Sequence, residues 1–225
     1  MYITTCYDVT MRRVELSPDT LTDVIEQAST MLRQGGVILY PTDTLYGLGA
    51  DAFSDEAVDT IYAIKGRDEK KPIHCIVSDI AMAEEYAEVT NDARLLFERL
   101  LPGGLTVILR KRKNVRGGIA RGIETIGIRI PHNDFCAQLA RAFGKPFTAT
   151  SANVSGLAPK RSLSDILEQL GESAEMIDLI IDAGELPPSA PSTVVDLSGE
   201  EPLIVREGAI AAADIWNAIR AERDN

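Results

Sequence analysis

The sequence predicts an α/β fold with a mixed β-sheet, folded as a single domain over residues 1–225. Amphipathic helix patterns alternate with short apolar runs along the chain, as they do in α/β proteins. Some apolar runs follow one another with no helix between them, which favours a mixed sheet over a strictly parallel one. A chain of 225 residues with 45% hydrophobic and 25% charged residues supplies enough apolar material for one core, and no linker divides it.

Seven helices are predicted from the spacing of apolar residues and from end signals. The first starts at Ser17-Pro18-Asp19, where Ser17 is a suitable cap and Pro18 suits the first helical position, and Gly35-Gly36 ends it. The second is capped by Ser54, covers residues 55–65 and ends at Lys65-Gly66-Arg67. The remaining helices begin at Ser78-Asp79 or cover 91–101, Asp134–Phe143, 162–170 and Ala211–Glu222.

Strands are predicted where branched apolar residues cluster between these helices. They cover residues 37–40, Ile73–Val77, Leu105–Leu109, Ile126–Ile130, Phe147–Ala149, Ile177–Asp182, Thr193–Leu197 and Leu203–Arg206. The last two lie close in sequence and are predicted to pair with each other. The stretch after Tyr40 is predicted to be a hydroxyl-rich loop, in which Gly47 and Gly49 let the backbone pass close to another group.

Composition and charge exclude several classes of protein. The net charge is −11, so no overall field draws the chain to nucleic acid or anionic lipid, and any bound phosphate needs a local cluster of cations. No apolar run reaches membrane-spanning length and the N-terminus lacks a signal-peptide core, which together predict a cytoplasmic location without a membrane. Cys6, Cys75 and Cys136 have no metal-ligand spacing and are predicted to be reduced thiols.

The stretch from Tyr40 to Arg67 is the first candidate site. Thr42, Asp43 and Thr44 place two hydroxyls and a carboxylate directly after a strand. Lys65 and Arg67, together with Lys71, could hold a polyphosphate, because arginine offers a planar fork and lysine a compact charge. The same cations would also suit an ordinary solvated helix end, where they complement the helix dipole.

Two further candidates lie in the second half of the chain. Ser151 and Asn153 follow a strand immediately, which suits either a ligand-binding loop or an ordinary turn. Arg129 lies within a strand of branched apolar residues, so it needs an anionic partner, either an internal carboxylate or a ligand. Arg206 repeats this pattern at the end of another strand. A basic loop, RKRKNVRGG from Arg110, could contact nucleic acid or could simply be solvated.

Taken together, the ordered motifs resemble those of the YrdC-like family, the threonylcarbamoyl-AMP synthases. The motifs are PTDTLYGLGADA, KGR, KP, TIGIRIP, GKPFTATSANVSG, PSTVVDLSG and IVREGAI, and they extend over about residues 20–212. The resemblance implies a twisted, open sheet with a deep cationic cavity, in the short single-domain type of the family. It also implies a nucleotidyltransferase that makes threonylcarbamoyl-AMP and pyrophosphate from L-threonine, bicarbonate and ATP, with Mg²⁺ accompanying the ATP. A tRNA threonylcarbamoyltransferase complex would use the product to modify tRNA.

The resemblance also assigns roles to individual residues. Lys65 and Arg67 would be catalytic and would hold the ATP phosphates. The ATP-binding set is Lys65, Arg67, Lys71, Thr125, Ser151, Asn153 and Arg206, and the threonine-binding set is Thr44, Arg129 and Ser192. No protein ligand for a metal is implied. Many members carry a histidine at the position of Ile76; here His74 lies two residues away, on the same face of the predicted strand.

Two other functions remain open from the sequence. A related carbamoyl-transfer enzyme on the same fold would be expected within a larger, multidomain chain. An RNA-binding module would use the cationic cavity as a basic surface, with weak contact to RNA that falls steeply with salt.

Overall fold

The fold is a mixed ten-stranded sheet with seven α-helices over residues 12–68 and 71–220, which the computed structural model describes. The strands are β1 (Arg12–Glu15), β2 (Ile38–Pro41), β3 (Tyr46–Gly49), β4 (His74–Ile76), β5 (Leu105–Arg110), β6 (Thr125–Arg129), β7 (Phe147–Ser151), β8 (Leu179–Asp182), β9 (Thr193–Asp196) and β10 (Leu203–Arg206). The helices are α1 (Leu21–Arg33), α2 (Asp55–Lys65), α3 (Ile80–Tyr86), α4 (Asn91–Leu100), α5 (Asp134–Phe143), α6 (Leu163–Leu170) and α7 (Ala212–Arg220). The predicted mixed α/β class is therefore confirmed.

The order of strands brings distant parts of the chain side by side. Across the sheet the order is β1-β8-β2-β3-β7-β4-β6-β5-β9-β10. The pairs β1–β8, β2–β8, β4–β6 and β5–β9 are parallel, and the other five pairs are antiparallel. Strands β9 and β10 pair with each other, as predicted.

Apolar residues alternate along the central strands and bury both faces of the sheet. In β2, Ile38 and Tyr40 belong to one apolar cluster, which includes residues of α1 and α5. Leu39 points to the opposite face and joins a larger cluster with residues of α2, α4, α6 and α7. This alternation is the expected consequence of the two-residue repeat of a strand. It places the sheet between two layers of helices.

Helix ends follow the capping signals at α2 and α5. The Ser54 hydroxyl accepts a hydrogen bond from Ala57 N at 3.3 Å, and Asn133 Oδ1 accepts one from Cys136 N at 3.0 Å. Gly66 and Gly144 end these helices in the left-handed conformation, with φ of 53° and 82°. Both helices have the bounds that the sequence predicts.

The start of α1 differs from the prediction. The helix begins at Leu21 and not at Pro18. Ser17 N donates to Thr20 Oγ1 at 2.9 Å, and Thr20 N donates to Ser17 Oγ at 3.3 Å. These reciprocal bonds close a turn over residues 17–20, so Ser17 stabilises the approach to the helix and not its first turn.

The glycine-rich stretch after Tyr40 is a strand, so the prediction of a continuous loop was wrong. Strand β3 pairs antiparallel with β2, and only residues 42–45 form the turn between them. A Cβ at Gly47 would lie 2.8 Å from Cζ of Tyr40, and one at Gly49 would lie 2.9 Å from Cε1. The group that the glycines accommodate is therefore the chain's own Tyr40 ring. The Tyr40 hydroxyl donates to Thr148 O at 3.0 Å, which ties β2 to β7.

Candidate active site

A cavity of about 260 Å³ lies where the β2–β3 turn meets strands β4 to β7 and the last part of the chain. Three arginines line it: Arg67 from the segment after α2, Arg129 from β6 and Arg206 from β10. Among the residues that line this cavity there is no aspartate or glutamate. Three cations that are far apart in sequence thus share one recess in an acidic protein.

Six of the ten predicted binding residues line this cavity. They are Thr44, Arg67, Arg129, Ser151, Ser192 and Arg206. The other four, Lys65, Lys71, Thr125 and Asn153, are not part of its lining. The six come from the β2–β3 turn, the segment after α2, strands β6, β7 and β10, and the residue before β9.

Thr44 is held in place by the turn that contains it. Thr42 Oγ1 accepts hydrogen bonds from Thr44 N at 3.0 Å and Leu45 N at 3.1 Å, and donates to Leu45 O at 2.7 Å. The hydroxyl of Ser189, from the segment between β8 and β9, donates to Thr44 O. Both threonines noted in the sequence line the cavity, and the Thr42 hydroxyl in addition shapes the turn that holds Thr44.

Arg129 has an internal partner and also lines the cavity. Its Nη2 donates to the carboxylate of Asp43 and, at 2.9 Å, to Thr44 Oγ1. Its Nε is buried, and nothing in the described residues accepts a hydrogen bond from it. The internal carboxylate considered from the sequence is thus present. Because buried donors are rarely left unpaired, the Arg129 guanidinium is incompletely satisfied within the described residues.

Arg206 belongs to a network with two hydroxyls. Its Nε and Nη2 donate to Ser192 O at 3.2 and 2.7 Å, and Ser192 Oγ lies 3.0 Å from Thr106 Oγ1. Sequence analysis missed Thr106, which is buried in β5 and lines the cavity. The one feature of the sequence that marks Thr106 is a hydroxyl group within an otherwise apolar strand. Only the strand register shows that Thr106 pairs with Arg129 of β6.

Burial lowers the pKa of two of the cavity arginines. For Arg67 the cause is burial, which Tyr62 partly offsets. For Arg206 the cause is burial and, second, the positive charge of Arg129. A lowered arginine pKa means that the charged form lacks sufficient compensation from its surroundings. A bound anion would supply it, so the cavity suits phosphate or carboxylate groups.

Lys65 is buried in contact with the loop that follows β7. Its Nζ donates to Ser151 O, to Asn153 O at 2.9 Å and to Asn153 Oδ1 at 3.4 Å. Ser155 N donates to Lys65 O at 2.8 Å, so main chain and side chain both fasten the loop to α2. Burial, with the charge of Arg67 second, lowers the pKa of Lys65 to about 7. These contacts position the loop that carries Ser151; the role of Lys65 in phosphate binding stays a prediction.

Lys71 and Thr125 also stay predictions as ATP ligands. Lys71 is exposed, and its carbonyl accepts hydrogen bonds from Tyr62 and from Arg67 Nε. Thr125 begins β6 and pairs with Arg110 of β5. Lys70, which precedes Lys71, and Cys6 lie outside the described residues.

His74 and Ile76 both line the cavity, which confirms that they share a strand face. The pKa of His74 is lowered to about 4, first by burial and then by the positive charges of Arg206, Arg67 and Arg129. The imidazole is therefore neutral at pH 7. It can exchange hydrogen bonds with a ligand without adding charge to the cavity.

The pKa of His74 predicts how the free energy of unfolding depends on pH. Between pH 6.5 and pH 4 the unfolded histidine binds more protons than the folded one, so stability falls as pH falls through this window. We expect the wild type to lose roughly 2–3 kcal/mol more than His74→Gln between pH 7 and pH 4. Urea unfolding at each pH measures the difference.

His132→Gln is the control for this measurement, because His132 is exposed. It should keep the pH dependence of the wild type. If His74→Gln also kept the pH dependence of the wild type, the imidazole of His74 would not be held neutral by its surroundings.

Other candidate features have structural roles in the described part of the chain. In the basic loop, Arg110 Nε donates to Ser198 O at 2.8 Å, and Lys111 Nζ donates to Val115 O at 3.1 Å. Cys75 and Cys136 are buried, and burial raises the pKa of Cys75 to about 12 and raises that of Cys136 further. No described helix is both long and apolar enough to cross a bilayer.

Residues 30–208 match the model of the Sua5/YciO/YrdC family, which is described by the words telomere recombination. This match covers most of the chain and contains every one of the six predicted residues that line the cavity. The chain belongs to this family. Membership confirms the resemblance that the sequence motifs indicate.

Named relatives of the chain come from archaea and bacteria. A Methanocaldococcus jannaschii protein, provisionally named a threonylcarbamoyl-AMP synthase, is 35% identical over 87% of this chain and 91% of its own length. The threonylcarbamoyl-AMP synthase of Pyrococcus abyssi is 33% identical over 87% of this chain and 57% of its own length. The threonylcarbamoyl-AMP synthase of Bacillus subtilis is 34% identical over 85% of this chain and 55% of its own length. This chain thus spans little more than half the length of the last two.

Solved structures confirm the fold. Escherichia coli YciO has a TM-score of 0.78 at 30% identity, over 90% of this chain and 97% of that one. P. abyssi Sua5, solved in complex with L-threonine, has a TM-score of 0.83 at 31% identity, over 93% of this chain and 61% of that one. Full-length HypF, at 23% identity and a TM-score of 0.71, shares the fold alone.

Proposed function

We propose that this chain is a threonylcarbamoyl-AMP synthase, which converts L-threonine, bicarbonate and ATP into threonylcarbamoyl-AMP and pyrophosphate. The observation that carries the proposal is the cavity in which Arg67, Arg129 and Arg206 converge with several threonine and serine residues, among them Thr44, Ser151 and Ser192. Relatives that are 33–35% identical carry this activity in their names, and a structural neighbour was solved with L-threonine. The product would supply a downstream transferase that modifies tRNA.

The threonine would lie beside Arg129, Thr44 and Ser192. The guanidinium of Arg129 lines the cavity and offers charged donors to the amino-acid carboxylate, and a charge-assisted bond of this kind is stronger than a neutral one. Thr44 Oγ1 and Ser192 Oγ line the same cavity and can exchange hydrogen bonds with the substrate's polar groups. This set would hold threonine with its amine free to react.

The nucleotide would lie toward Arg67, Arg206 and Ser151. Neither arginine has a carboxylate partner among the described residues, and burial lowers the pKa of both. Phosphate oxygens would supply the missing negative charge. Lys65 and Asn153 would support this half of the site, because they fix the loop on which Ser151 lies.

The reaction needs positioning more than it needs a protein nucleophile. The threonine amine attacks bicarbonate carbon, water leaves and a carbamate forms. A carbamate oxygen then attacks the α-phosphorus of ATP, and pyrophosphate leaves with the bonding electrons. Holding the reactants in line contributes up to about 7–11 kcal/mol, and cations stabilise the departing phosphates. The arginines of the cavity fit this second task.

Magnesium would be bound mainly by the substrate. The cavity lining offers it no carboxylate, and the described residues contain no group of three or more histidines, cysteines, aspartates or glutamates suited to a metal ion. Magnesium usually keeps several waters and binds phosphate oxygens in nucleotide sites. We therefore assign it to the ATP phosphates.

The test of the function is pyrophosphate release from ATP, with L-threonine and bicarbonate omitted in turn. We expect release only when both are present, and one threonylcarbamoyl-AMP formed for each pyrophosphate. Release that needs neither would contradict the proposal. Pyrophosphate release that needs bicarbonate but not threonine would favour a carbamoyl-transfer enzyme. Salt-sensitive binding of RNA without pyrophosphate release would favour an RNA-binding module.

A further inference from the structure

The carboxylate of Asp43 connects Arg129 to a second part of the chain. Its Oδ1 accepts a hydrogen bond from Arg129 Nη2, and its Oδ2 accepts one from His132 N at 3.0 Å. The side chains of Asp43 and Arg129 are both largely buried, at 12% and 10% exposure. Both oxygens of the carboxylate are thus committed within the protein.

The hydrogen bonds from Arg129 to Asp43 and Thr44 determine the orientation of the guanidinium. Nη2 is shared between Asp43 and Thr44 Oγ1, so one edge of the group is occupied from the β2–β3 turn. Nε is buried and has no acceptor among the described residues. A guanidinium is planar and its donors have fixed directions, so holding Nη2 also holds Nε.

We propose that Asp43 is a positioning residue that sets the affinity for the carboxylate of the amino-acid substrate. Asp43 is not among the residues that line the cavity, so it would act through Arg129. It holds the guanidinium in the orientation in which Arg129 lines the cavity. This inference rests on the proposed function, because it takes threonine as the ligand of Arg129.

The geometry suits an orienting role for Asp43. Oδ2 ties the β2–β3 turn to His132, before α5, so the carboxylate that holds Arg129 through Oδ1 cannot follow the guanidinium if it rotates. A substrate carboxylate would meet an arginine that is already oriented, which reduces the ordering cost of binding. Without the Asp43 charge, the guanidinium could turn and donate elsewhere.

The test is Asp43→Asn, which keeps the shape of the side chain and removes its charge. We expect the KM for L-threonine to rise about tenfold to 100-fold, with the KM for ATP within twofold of the wild type. Calorimetric titration with L-threonine should show the same loss of affinity. Titration with L-threoninol, which lacks the carboxylate, should give the same affinity for variant and wild type.

Asp51→Asn is the matched control. Asp51 is also 12% exposed and paired with a cation, but that cation, Lys145, does not line the cavity, whereas Arg129 does. This variant should keep the wild-type KM for threonine even if it loses stability. Equal effects of the two substitutions on KM, or a rise for ATP as large as that for threonine, would overturn the proposal.

Asp43→Glu is the second variant for this test, to be used if Asp43→Asn does not fold. It keeps the charge but moves it by one methylene, so the KM for threonine should again rise selectively. Failure of both variants to fold, while Asp51→Asn folds, would overturn the proposal by making Asp43 a structural residue. Absence of threonine-dependent turnover in the wild type would instead refute the proposed function, which separates the two failures.

Discussion

Replacing Arg67 by alanine is expected to reduce pyrophosphate release by about 100-fold to 1,000-fold, the usual effect of removing a donor that stabilises developing negative charge. The fold should tolerate the change. Arg67 donates to the carbonyls of Lys71 and Pro72, at 3.2 and 3.0 Å, in a half-exposed position. Losing these bonds should cost no more than about 1–2 kcal/mol of unfolding free energy. Steady-state kinetics and urea unfolding measure the two effects.

Arg99→Ala is the control for Arg67→Ala. Arg99 Nη1 donates to the carbonyl of Ala218 at 2.6 Å, so this variant also loses an arginine–carbonyl contact, but away from the cavity. It should keep full turnover. Unchanged turnover in Arg67→Ala would show that the phosphates bind elsewhere, and the assignment of the nucleotide half of the site would be wrong.

Replacing Lys65 by methionine should impair both stability and turnover. Methionine keeps most of the side-chain volume but leaves the buried carbonyls of Ser151 and Asn153 without their donor. We expect a loss of about 2–4 kcal/mol of unfolding free energy, since each unsatisfied group costs about 1–3 kcal/mol. Turnover should fall about 100-fold, because the loop that carries Ser151 is no longer fixed.

Lys145→Met is the control for Lys65→Met. Lys145 pairs with Asp51 and its side chain is 43% exposed, so this variant removes an amine without leaving a buried loop unsupported. The largely buried carboxylate of Asp51 loses its partner, so some stability should be lost, but activity should be kept. A Lys65→Met variant that loses turnover at unchanged stability would indicate direct contact with the substrate and not a supporting role.

The sequence predicts the helices of this fold better than its strands. Local signals decide where α2 and α5 begin and end, because Ser54 and Asn133 satisfy the first turn from within a few residues. Strand β3 was missed because its two glycines favour a loop, and only the neighbouring side chains of Tyr40 and Ile38 on β2 explain them. Strand β1, with the sequence RRVE, lacks an apolar pattern and is defined by its pairing with β8.

The candidate site could be predicted as a set of residues but not as an arrangement. The pattern of a cation in an apolar strand identified Arg129, yet nothing local indicates that its partner is Asp43, 86 residues away. Lys65 was predicted to be a ligand from its charge and from the family resemblance, whereas its acceptors in the structure include backbone carbonyls distant in sequence. Thr106 depends on strand register, which tertiary contacts determine.

The position of β8 between β1 and β2 has a consequence for how the protein is made. Val37, at the start of the central strands, donates its N–H to Asp178 Oδ2, 141 residues later. Pairings between such distant segments are entropically costly and slow to form. A ribosome must therefore release most of the polypeptide before β1, and the second edge of β2, can pair with β8, and a translation product that stops before β10 would lack Arg206 of the cavity.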